Sequence, residues 1–198
     1  MADLLKVAND PSQAGIVRAT AVELLRAGGA DAAAQTSSLL RDPDPLVREA
    51  AVGVQTVASP QDRVQRLVPL LADRYKSVRL ATARALLATP LDTLDPAAMN
   101  NFKSASDEWK DSLRAKADFP ETHLILGGVA LTMRNVQAAE QAFQEAARQD
   151  PQLLDAWIML VRIRAAVGDL EGARSFLKQA MDSNPGSDEL DALSKQFP

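Results

Sequence analysis

Residues 156–186, AWIMLVRIRAAVGDLEGARSFLKQAMDSNPG, read as two helices around a Gly-Asp turn, closed by an Asn-Pro-Gly stop. Apolar residues recur at three- and four-residue spacing on both sides of the turn, which is the period of amphipathic helices and not of strands. The stretch holds no arrangement that suggests chemistry. A lone helical hairpin cannot bury its own apolar face, so it needs neighbours, and neighbours of its own kind would show as a repeat.

The repeat is present. HLILGGVALTMRNVQAAEQAFQEAARQDP (123–151) runs in step with WIMLVRIRAAVGDLEGARSFLKQAMDSNP (157–185) at a spacing of 34 residues without a gap. His123 falls on Trp157, Leu126 on Leu160, Ala139 on Ala173, Phe143 on Leu177, Ala146 on Ala180 and Pro151 on Pro185. Two antiparallel helices approach closely only where one presents a small side chain, so Gly127, Ala139 and Ala146 read as holes and Phe143 and Trp157 as fillers. Pro151 and Pro185 each stop a second helix, because proline lacks the amide a continuing helix would use.

These residues resemble the tetratricopeptide repeat, with copies at 120–153 and 154–187. The pattern departs at His123, where a larger residue is usual, at Val161, where glycine is usual, and at Ala130 and Arg164, where an aromatic is usual. The resemblance implies that Glu121, Leu124, Gly128 and Leu131 of the first copy face a concave groove, with Asp155, Ile158, Arg162 and Ala165 of the second. It also implies that a chaperone's acidic C-terminus is not the ligand, since Leu124 and Gly128 replace the Lys and Asn of the clamp that holds it. A single helix at 96–116, with Phe102, Ala105, Trp109 and Leu113 on one face, precedes the copies. A capping helix with Ser187 as N-cap follows them.

The first half has a shorter period. Val17-Arg18, Val47-Arg48 and Val78-Arg79 stand 30 and 31 residues apart, each followed by the same apolar stripe. Asp42 and Asp73 lie six residues before their arginines, where the first copy has Ser12, with Asp10 two places earlier. These copies resemble short HEAT-like repeats, and that resemblance implies an Asp–Arg ladder between successive copies. Their first helices are expected at ADLLKVA, DAAAQTSSLL and PQDRVQRLVPLL. The expected fold is therefore all-α: a right-handed α-solenoid, HEAT-like over residues 1–90 and tetratricopeptide-like over 91–198. Residues 89–96 form the connection, too short for a free linker, so the arrays are expected to stack end to end.

Composition narrows the function. The chain of 198 residues has no Cys and one His, His123, which leaves no thiolate, disulfide, haem-attachment or His-rich metal chemistry. Residues 1–90 carry 11 basic and 9 acidic side chains, and residues 91–198 carry 11 and 17, so the second half does not suit phosphate. DPDPLVRE and SDELD lack calcium-loop spacing and read as acidic helix starts. LGGVAL lacks the Lys-Ser/Thr of a phosphate loop.

Neither a membrane span nor a secretion signal is visible. The helix under way at ADLLKVAND suggests a piece of a longer polypeptide. The expectation is a non-catalytic scaffold that needs no metal or cofactor, is cytoplasmic or periplasmic, and binds a protein, a peptide or another domain of the same polypeptide. Nucleic acid is not expected as a partner. The order of the arrays also resembles the C-terminal region of bacterial multihaem cytochrome c proteins, which would make this a periplasmic docking region. The first half alone is similar in repeat length to phycobilin lyases.

Overall fold

The computed structural model describes residues 1–91 and 94–196. Two residues of the connection expected at 89–96, and the final residues of the chain, lie outside these. Among the described residues the chain is all-α and carries no strand. It divides into two compact units, Met1–Asp111 and Ser112–Pro198.

The first unit begins with α1 (Ala2–Ala8), α2 (Gly15–Leu25), α3 (Gly29–Gln35) and α4 (Pro45–Gln55). Then come α5 (Pro60–Leu67), α6 (Lys76–Leu86) and α7 (Pro96–Arg114). The second helices stack in order, α2 on α4 and α4 on α6. Proline at the first helical position and a side-chain cap start α4 and α5: Asp44 accepts from the Leu46 N–H and Ser59 from the Asp62 N–H.

The first helices of the second and third copies are shorter than their apolar pattern suggests. Each gives way to a 3-10 turn, Ser37–Arg41 and Val68–Ala72. In one the Thr36 and Ser37 hydroxyls donate to the Ala32 and Ala34 carbonyls, and in the other Pro69 removes a donor. The core is built from Ala, Val and Leu, including Val22, Leu25, Val47, Val52, Leu67, Val78 and Leu86. Phe102 and Ala105 of α7 belong to this core, although the sequence groups that helix with the second array.

The second unit holds α8 (Pro120–Thr132), α9 (Val136–Gln149), α10 (Leu154–Ala166), α11 (Leu170–Ser183) and α12 (Asp188–Ser194). The turn within each copy uses a residue in the left-handed region, Arg134 at φ 58° and Gly168 at φ 83°. Each is followed by a side-chain cap, Asn135 to the Ala138 N–H and Asp169 to the Gly172 N–H. Ser187 caps α12 by accepting from the Leu190 N–H. Ala139, Ala146, Ala173 and Ala180 are fully buried beside Phe143, Leu160 and Leu177. A Cβ on Gly127 would stand 2.6 Å from the Phe143 ring, so the closeness of α8 and α9 requires glycine there.

Candidate interaction surface

In the first unit the arginine and aspartate columns meet across successive copies. Arg18 forms a forked pair with Asp42, and its Nε donates to the Ala8 carbonyl at 3.0 Å. Arg48 forms a forked pair with Asp73 at 2.8 and 3.0 Å. Its remaining donor reaches the Asp42 carbonyl at 2.7 Å, so the buried guanidinium is held from both sides. Arg79 continues the series, but its acceptor is Glu108 of α7, at 2.7 and 2.9 Å.

Burial disfavours the charged form of Asp73. Hydrogen bonds from Arg48 and from the Tyr75 N–H outweigh that and hold the carboxyl below its ordinary value. A cleft of about 950 Å³ beside this ladder is lined by Arg41, Arg48, Arg66 and Arg74, of which Arg48 pairs with Asp73, Arg66 with Asp62 and Gln55, and Arg74 lies over the Tyr75 ring.

The second unit adds staples made by ring and amide N–H groups on loop carbonyls. His123 Nε2 donates to the Ala117 carbonyl at 2.8 Å, and Gln149 donates to the same oxygen at 2.9 Å. One repeat later Trp157 Nε1 donates to the Pro151 carbonyl at 2.9 Å, joined by Asn184 at 3.1 Å. His123 thus does with an imidazole N–H what Trp157 does with an indole N–H, which accounts for histidine at a position that usually takes a larger residue. Arg164, at another of the irregular positions, joins the two copies by pairing with Glu140 of α9 and with Asp169. Those hydrogen bonds, the one to Glu140 first, push its pKa up. On the outer side of α9, Arg148 beside Glu145 holds that carboxyl down at about 2.

Of the residues expected to line a groove, Glu121, Gly128, Asp155 and Arg162 are exposed. Leu124, Leu131 and Ala165 are half-buried against the core. Ile158 is a correction: it is 5% exposed and belongs to the core of the unit, so it is not a partner contact. The reason is that α10 packs on both α9 and α11, and Ala156, Trp157, Ile158, Leu160, Val161 and Ile163 are all buried. The unbroken apolar run 156–161 was the available signal, since a helix that is apolar all round is covered all round.

Sequence reasoning also missed Glu108, an acid on a helix that takes Arg79 where the other two arginines take a loop aspartate. It missed the turn edge of the second unit as well, where Met133 and Val136 of one copy and Val167 and Leu170 of the next are exposed at equivalent places. No group of three or more His, Cys, Asp or Glu side chains among the described residues could hold a metal ion.

Residues 97–153 and residues 130–196 each match a family model described as tetratricopeptide repeat. The second half of the chain is made of tetratricopeptide repeats. The first match begins inside α7, so the tetratricopeptide register extends back over that helix. No curated protein and no solved structure matches the chain.

Proposed function

We propose that the chain is a non-catalytic scaffold and that the first helices of its tetratricopeptide copies receive a segment of a partner polypeptide or another domain of the same polypeptide. Tetratricopeptide repeats generally serve protein–protein interaction, which supports the coarse reading. The observation that carries the finer one is the pair Glu121 and Asp155: both are exposed, and both stand at the same place in copies 34 residues apart. Beside them Leu124 and Leu131 offer half-buried apolar surface, and Gly128 leaves open space above α8.

An apolar segment carrying a Lys or Arg matches that pattern, its cation over the acids and its apolar side chains over the leucines. The Arg–Asp copies of the first unit we read as HEAT-like, on their 30- and 31-residue spacing and their copy-to-copy ion pairs. Selection of displayed random peptides against the whole chain tests the reading. Apolar-basic peptides that bind the parent but not a Glu121→Lys, Asp155→Lys variant of unchanged helicity are the expected result. Enrichment of acidic peptides, or equal binding to the variant, overturns it.

A further inference from the structure

The cleft of about 950 Å³ beside the ladder lies between the second and third copies of the first unit, with the 3-10 turn Ser37–Arg41 on one side and α5 and the turn after it on the other. Four arginines and three aspartates line it, and they do not cancel. Asp42 is used by the Arg18 fork and the Asp44 N–H, and Asp73 by the Arg48 fork and the Tyr75 N–H. Arg66 has the Asp62 carboxylate at 3.5 Å and the Gln55 Oε1 at 3.0 Å. Every acid of the cleft is thus matched to an arginine, and Arg41 and Arg74 are left over. Both are exposed, and among the described residues neither side chain has an acid or a hydrogen-bond acceptor.

Arg74 is nevertheless held in place. Its guanidinium lies 4.7 Å over the centre of the Tyr75 ring, which also has Arg48 at 5.5 Å. A guanidinium stacked on a ring keeps its in-plane N–H donors free, so the contact orients the fork without using it.

Two unmatched guanidinium groups in one cleft call for a ligand with two negative charges. A phosphate monoester brings a charge of about −1.5 to −2 in a single group, with three strong acceptor oxygens, whereas a carboxylate brings one charge. The volume lies at the upper end of the range of about 300–1,000 Å³ usual for small-ligand sites, so the cleft has room for the group that carries the phosphoryl.

We propose that this cleft is a phosphate-ester binding site in which Arg41 and Arg74 take the phosphoryl oxygens. The recognising chemistry is the same whether the ester belongs to a small molecule or to a phosphorylated side chain, and the test separates the two.

The test is isothermal titration of the whole chain at low salt with glucose 6-phosphate and with a short phosphoserine peptide of otherwise uncharged sequence. At least one of them should bind and shift the ring signals of Tyr75, the sole tyrosine. An Arg41→Ala, Arg74→Ala variant of unchanged helicity should bind about tenfold more weakly or worse, since each lost contact is a charge-assisted hydrogen bond. An Arg26→Ala, Arg84→Ala variant removes the same charge from exposed positions of the same unit outside the cleft, and should weaken binding by about twofold at most. Tighter binding of glucose 6-phosphate assigns the site to small phosphate esters, and tighter binding of the peptide assigns it to phosphorylated segments. Binding of neither ester, equal weakening by the two double variants, or equal binding of the peptide with glutamate in place of phosphoserine overturns the proposal.

Discussion

The two units solve one problem, fixing the register of stacked helical hairpins, with different chemistry. In the first unit the pins are guanidinium–carboxylate forks, Arg18 with Asp42 and Arg48 with Asp73, set in a core of Ala, Val and Leu. In the second, beside the Arg164–Glu140 pair between copies, they are ring N–H groups on loop carbonyls, His123 on Ala117 and Trp157 on Pro151, and the helices close on glycine and alanine holes filled by large side chains. A charged pin in a dry place is costly to break and sensitive to acid. A single ring N–H hydrogen bond is weaker, so most of the closure there falls to packing. The units should therefore fail under different insults.

Removing one member of a buried fork should produce the largest effect. Arg48→Ala strands the Asp73 carboxylate beside a closed core and is expected to cost the first unit about 3–5 kcal/mol. Replacing both members, Arg48→Met with Asp73→Leu, should cost much less, because no unpaired charge remains. Urea denaturation followed by the indole signal and by a probe on each unit would show whether the loss stays in the first unit. A double variant as damaged as the single one would show that the fork acts through geometry and not through charge.

The matching insult to the second unit is an added methyl. Gly127→Ala puts a Cβ 2.6 Å from the Phe143 ring, and the ring must move or the helices must part. A cost of about 1–3 kcal/mol is expected, confined to the second unit and relieved by pairing the change with Phe143→Leu. An unchanged midpoint would mean that α8 and α9 are not held at close approach.

Acid should separate the units further. The folded-state pKa of Asp73 is depressed, so its contribution is present above the unfolded value near 3.9 and is lost as pH falls through the folded value. The first unit should weaken on acidification below about pH 4, and Asp73→Asn should flatten that dependence while lowering stability at neutral pH. Glu145, held at about 2 beside Arg148, has the same sign in the second unit. That pair is exposed and solvent-screened, so its share is small. Thermal melts of the parent and of Asp73→Asn across pH 2.5–7 read this directly; parallel slopes for the two would remove Asp73 from the account.

How much of this was legible follows from where the signals sit. The 34-residue period and the Val-Arg pairs are carried by residue identity, so helical hairpins, their stops and the Ser187 cap could be read from the chain. Groove-facing positions were inferred from a register, and register does not say what else packs on the helix. That is why Ile158 was assigned to a partner while α9 and α11 bury it. Glu108 was invisible because it supplies from a helix what the pattern supplies from a loop. The buried Gln55, which donates to the Ala33 carbonyl and accepts from Arg66, lies outside any motif, and only tertiary neighbours justify a buried amide there.

The smallest effect tests whether the two ring staples are equivalent. His123→Phe and Trp157→Phe each keep a ring and remove its N–H, leaving the carbonyl to its amide co-donor, Gln149 or Asn184. Each should cost about 1 kcal/mol, since one hydrogen bond is lost while its acceptor stays half satisfied. Trp157→His restores an N–H on a smaller ring, so it should recover the bond and lose packing instead, more so because Trp157 also meets Phe176 at 6.5 Å between ring centres. His123→Trp should keep the bond and add apolar contact. If His123→Trp is tolerated while His123→Phe is not, the ring N–H is what the repeat requires at that place. If both are equally tolerated, the position asks only for bulk, and the ring staple adds nothing to packing at that place.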